Sequence, residues 1–144
     1  MIRQEFNIES YWKVIVYYSI DYDLLKVIED DMKAFGISEE DIKNIFNELH
    51  IGEAKAVTCS NLETHISIVL FGMPDSKEDF INSVVHEAEH IKQAMLKVYN
   101  VDDRGEAPAY TIGYVVGRMY STFKYIICND YDKKRGKKTY CGSA

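Results

Sequence analysis

The stretch Ser76–Asn100, SKEDFINSVVHEAEHIKQAMLKVYN, organises the chain around it. Phe80, Val84, Ala88, Ile91, Met95 and Val98 recur three and four residues apart, the spacing that lines up one face of an α-helix. Ser76 precedes the run with Asp79 three residues on, a variant of the capping box. The pattern predicts a helix from about Lys77 to Tyr99 that buries one stripe. Gly72, Pro74 and Asp75 break the chain before it, and a turn from Asn100 to Gly105 follows. A last helix then runs from about Glu106 to Ile127. Its Gly113 and Gly117 lie one turn apart, which would let another backbone approach closely.

Working toward the N-terminus, Thr64–Phe71 alternates Ile66, Ile68 and Leu70 with His65, Ser67 and Val69, a strand pattern. Ala54–Ser60 pairs with it as a hairpin around Ser60-Asn61, and one of the two strands is expected at a sheet edge. Ser38-Glu39-Glu40-Asp41 opens a short helix with Ile42, Ile45, Phe46 and Leu49 on one side. Acidic groups in that first turn complement the helix dipole. Leu24, Leu25, Ile28, Met32 and Phe35 keep helical spacing before Gly36, with Asp21 or Asp23 as cap. The earliest strand is Tyr11–Ile20, YWKVIVYYSI, rich in β-branched and aromatic residues. The order β-α-α-β-β-α-α reads as an α+β domain, with a small antiparallel-type sheet packed on helices.

The chain has 144 residues, 47% of them hydrophobic, which suits one domain with a core of its own over residues 1–130. With 8 Gly and 2 Pro it has no collagenous or low-complexity character. A formal charge of −6 sets it against phosphate backbones, so nucleic acid is not an expected partner. Residues 131–144 are basic, with Lys133, Lys134, Arg135, Lys137 and Lys138, and read as a flexible tail. Cys59, Cys128 and Cys141 form no CxxC pair, a usage that suits a reducing compartment. No signal-peptide pattern opens the chain and no run reaches the ~18–20 apolar residues of a membrane span. A soluble cytoplasmic protein without a membrane partner is the expectation.

Inside the strongest helix stands His86-Glu87-Ala88-Glu89-His90. Residues four apart on a helix sit one above the other, so His86 and His90 can present two imidazoles to one metal ion. Glu87 is turned about 100° from His86 and can hydrogen-bond a water there and take its proton. This is the physical content of the HExxH pattern. A catalytic zinc site takes a third protein ligand, and Glu106, in the first turn of the next helix, is placed for it. Asp102 and Asp103 compete from the turn. Tyr110 and Tyr114 follow Glu106 at i+4 and i+8, and either hydroxyl could donate to the oxyanion of a tetrahedral intermediate.

The residues His86-Glu87-x-x-His90, with Glu106 on a following helix, resemble the gluzincin type of zinc metallopeptidase. The stretch VVHEAEHIKQAMLKVYNV…GEAPAYTIGYVVGRMY is also similar to small peptidase-like proteins of gut Bacteroidetes and their phages. The resemblance covers roughly the C-terminal half. It implies a zincin-like active helix followed by a glutamate helix, with His86, His90 and Glu106 as Zn2+ ligands and Glu87 as general base. It also implies that the strand before the active helix, residues 64–71, is an edge to which a peptide or protein substrate adds as a further strand. The chain departs from larger members at Tyr110, where an acidic partner for histidine often stands, and in lacking a separate substrate-binding subdomain.

Other readings weigh against these. Glu89 reads as solvated or paired with Arg104 or Arg118, His65 as a surface residue, and His50 as a complement to a helix dipole. Neither His50 nor His65 has a glutamate three residues before it, so a di-iron arrangement fails for want of a second Glu-x-x-His. The alternative function is a non-catalytic, metal-stabilised interaction module of a phage or mobile element.

Overall fold

A computed structural model describes residues 1–20 and 25–134. The fold is α+β: a four-stranded mixed sheet with two helices on each face. In chain order the elements are β1 (Ile2–Ile8), β2 (Trp12–Tyr18), α1 (Leu25–Ala34), α2 (Glu39–His50), β3 (Ala56–Asn61), β4 (Ile66–Phe71), α3 (Lys77–Tyr99) and α4 (Glu106–Lys134). The sheet order is β1-β2-β4-β3. β1 pairs with β2 and β3 with β4 antiparallel, whereas β2 and β4 run parallel. The expected antiparallel sheet is therefore mixed, because the crossover through α1, α2 and β3 returns the chain in the direction of β2.

β2 and β4 are buried on both faces, which is why each reads as a nearly continuous apolar run. Trp12, Val14, Val16, Tyr18, Val69 and Phe71 pack under α3 and α4. Ile15, Tyr17, Ile68 and Leu70 pack under α1 and α2. β1 has no counterpart in the sequence reading. Only Phe6 and Ile8 of its seven residues are buried, so its apolar signal is weak, and it forms by adding to the edge of β2.

The edge assignment changes as well. The strand expected at the edge, residues 64–71, is β4, hydrogen-bonded on both sides, and the free edge beside α3 is β3. The hairpin turn lies at residues 62–65, because Ser60 and Asn61 belong to β3. There Asn61 Oδ1 accepts from the backbone N–H of Glu63 (3.0 Å) and Thr64 (3.2 Å).

The caps form as the sequence indicates. Ser38 Oγ accepts from the Asp41 N–H at 3.1 Å, and Ser76 Oγ from the Asp79 N–H at 3.0 Å. Gly36 has φ +87°, the left-handed region a residue without Cβ reaches freely. The candidate caps Asp21 and Asp23 lie outside the described residues. Gly113 and Gly117 do not receive another backbone: a Cβ built on either meets nothing within 4 Å. α4 runs on through Lys134, so residues 131–134 belong to this helix, and the rest of the expected tail lies outside the described residues. Among the described residues no helix is long and apolar enough to cross a membrane.

Candidate metal centre

α3 lies across the sheet with Phe80, Val84, Ala88 and Ile91 fully packed inward, while α4 lies over β1. That orientation follows from the apolar stripe, and it fixes where the neighbouring polar residues go. Glu87, one position before Ala88, is carried toward β3 and is 4% exposed. Its Oε2 accepts a hydrogen bond from Thr58 Oγ1 at 2.5 Å. His86 and His90 turn outward on the same flank and are exposed, with Nε2 atoms 3.1 Å apart. Their rings meet edge to face, centroids 4.8 Å apart. His86 and Glu87 line a hollow of about 280 Å3 together with Ala54, Lys55 and Ala56 at the start of β3. Lys55 is drawn to the N-terminal turn of α3 by Asp79, at 2.5 Å.

Two imidazole nitrogens bound at about 2.0–2.1 Å to one tetrahedral ion stand about 3.3 Å apart. The two Nε2 atoms, joined here by a hydrogen bond of 3.1 Å, stand close to that separation. Among the described residues no group of three His, Cys, Asp or Glu is placed to hold one ion. Glu106 stands exposed in the first turn of α4. The loop that leads to it is tied to α3 by Asp103, which meets Lys92 Nζ at 2.6 Å. Lys92 lies two residues beyond His90, about 200° round the helix, so this loop is held on the flank turned away from the imidazoles.

The two tyrosines are not brought to the histidines either. The Tyr114 hydroxyl donates to the Asn7 carbonyl of β1 at 3.1 Å. β1 and β3 are opposite edges of the sheet, three strand spacings or roughly 14 Å apart, so Tyr114 is not an oxyanion donor beside Glu87. Tyr110 is 73% exposed on α4. Asp102 is occupied by Arg104, at 2.8 Å. Glu89 pairs with Lys92 at 2.9 Å, not with Arg104 or Arg118. His65 is not a simple surface residue. It stacks on Trp12 with centroids 5.3 Å apart, and its Nδ1 lies 3.3 Å from the Tyr99 hydroxyl. His50 is the last residue of α2, at the helix end the sequence indicates.

No protein family, curated protein or solved structure matches this chain. What the centre can do is then a matter of its geometry.

Two contributors escaped the sequence reading. Thr58, the partner of Glu87, lies 29 residues away on a strand whose side chains alternate without marking which one meets α3. Lys92 is buried, and Asp103 first, then Glu89, hold its ammonium above the usual lysine range. Its position two residues beyond His90 carries no motif. On the other side of β3, burial first, then Asp41 and Glu87, push the Cys59 thiol up to about 11, so it is a poor thiolate.

Proposed function

We propose that this chain is a zinc-dependent peptidase, and the observation that carries the proposal is the 3.1 Å separation of the exposed His86 and His90 nitrogens beside the buried Glu87. In this reading His86 and His90 would hold Zn2+, and Glu106 would complete the set once its loop is released from the Lys92–Asp103 tie that keeps it on the other flank. Bound zinc supplies Lewis acidity, which acidifies water and polarises a carbonyl. Glu87 takes the proton of the attacking water and returns it to the leaving amine. Thr58 holds Glu87 in one rotamer by donating to Oε2, leaving Oε1 for the water. The substrate adds along the free edge of β3, whose first residues share a hollow with His86 and Glu87.

Elemental analysis of the purified chain and its Glu106→Ala variant tests the ligand set. The expected result is about one zinc per wild-type chain, with affinity lowered in the variant by on the order of tenfold or more. Equal zinc content and affinity in both would remove Glu106 from the set. Glu87→Gln should keep zinc and lose hydrolysis of a casein or mixed-peptide substrate; retained turnover in it would sink the mechanism.

A second reading draws on the same Thr58–Glu87 bond. If that bond is only a structural tie, the chain is a metal-stabilised interaction module without turnover. Zinc then raises the unfolding temperature through linkage, while no peptide is cut at any zinc concentration.

A further inference from the structure

On the face of the sheet opposite α3, α2 stands away from the end of β3 and leaves an open hollow of about 810 Å3. Phe35, Ile37, Ile45 and Cys59 contribute apolar surface to its lining. Asp41, Glu48 and Glu63 supply its charge, and no Lys or Arg lines it. None of these three carboxylates is in an ion pair among the described residues. The wall is braced: Asn61 Nδ2 donates to the Phe35 carbonyl at 2.6 Å, tying β3 to the α1–α2 connection.

The hollow borders the free edge of β3. The Lys55 carbonyl accepts from the Gly72 N–H at 3.0 Å, so Lys55 faces β4. Backbone groups alternate along a strand, which turns the N–H and C=O of Ala56, Thr58 and Ser60 toward the open edge. A segment hydrogen-bonded there sends alternate side chains to the two faces of the sheet. One set passes over α3, toward His86 and Glu87. The other enters the hollow beside Cys59, where three carboxylates surround an apolar wall. A lysine or arginine matches both parts, laying its methylene stem on the apolar surface and its charge among the carboxylates.

We infer that β3 and the α2 hollow together form a subsite for an extended peptide carrying a lysine or arginine, a substrate class the proposed peptidase would then prefer. This inference rests on β3 as the docking edge of that proposal. The added residue lies next to Cys59, one position from Thr58, so the cationic side chain leaves on the opposite face of the sheet, about 3.4 Å along the substrate from the residue facing Glu87.

The test is fluorescence anisotropy with two labelled peptides, Thr-Val-Lys-Val-Thr and Thr-Val-Glu-Val-Thr, at low ionic strength. The protein is the full chain carrying Glu87→Gln, with zinc supplied. The lysine peptide should bind about tenfold more tightly, and added salt should shrink the difference. Combining Asp41→Asn, Glu48→Gln and Glu63→Gln should abolish the preference while the circular-dichroism spectrum stays unchanged. Glu63→Gln alone, in the hairpin turn, should lower it about twofold if the triple variant does not fold. Equal affinities, no binding of either peptide, or a preference that survives the variants would overturn the inference. A lysine preference in a wild-type chain that cuts neither peptide would uphold the subsite and refute the peptidase. Cleavage without charge preference would do the reverse.

Discussion

Glu87 shows how one residue can be legible in type and illegible in setting. Its place after His86 predicts a carboxylate at the proposed metal centre, but only the packing of α3 on β3 shows it 4% exposed and bonded to Thr58. Replacing Thr58 with valine keeps the shape and removes the donor, which leaves a buried carboxylate without this partner. The expected cost is about 1–3 kcal/mol, read as a lower urea midpoint with an unchanged slope. A midpoint that does not move would mean that water takes the place of the hydroxyl.

Tyr17 carries the alkaline response. Burial first, then the hydrogen bond to Asp31, push its phenol up to about 12 from an ordinary 10.0. The folded chain therefore favours the neutral phenol. Its contribution is fully present below about pH 10, where both states keep the proton. It is lost as the pH rises toward 12, because the unfolded chain ionises first. Burial raises Tyr18 as well, which adds to the same trend. The urea midpoint should fall steeply between about pH 10 and 12, and Tyr17→Phe should remove part of that slope. A midpoint independent of pH in this window would contradict the burial of both rings.

At the scale of elements, α3 was legible almost residue by residue, because its cap, its stripe and its end all follow from neighbours within two turns. α4 was legible at its start and misread in its glycines. Gly113 and Gly117 look like a close-contact pair, yet both face open space in the structure. Neither has the positive φ that would require glycine. Replacing either with alanine should therefore stabilise the chain by about 0.5–1 kcal/mol, measured by urea denaturation. A loss of stability instead would show that a neighbour packs on this face in solution. The strands were harder. β3 and β4 both alternate, and nothing within either says that β4 has a partner on each side. β1 escaped because a strand with two buried side chains barely differs from a loop in composition.

At the scale of the molecule, one sheet serves two cores. Val69 packs with Trp12 under α3 and α4, while its neighbour Leu70 packs with Ile28 under α1 and α2. Leu70→Ala removes about 3 kcal/mol from the second core. It should lower the unfolding midpoint seen by far-ultraviolet circular dichroism and by fluorescence of the single tryptophan, Trp12, to the same extent. A dichroism midpoint that drops while the Trp12 midpoint stays would mean that the two faces unfold separately. By itself, the sequence determined what depends on residues close along the chain: the helices and their caps, the apolar stripes, and the two imidazoles one turn apart. The tertiary structure decided which strand is the edge, where Thr58 meets Glu87, and where Glu106 and Tyr114 stand relative to the histidines. The physical reason is range. A helix closes its contacts within four residues, whereas strand pairing and the meeting of α3, α4 and β3 join residues tens of positions apart, whose alternation is the same whichever neighbour they find.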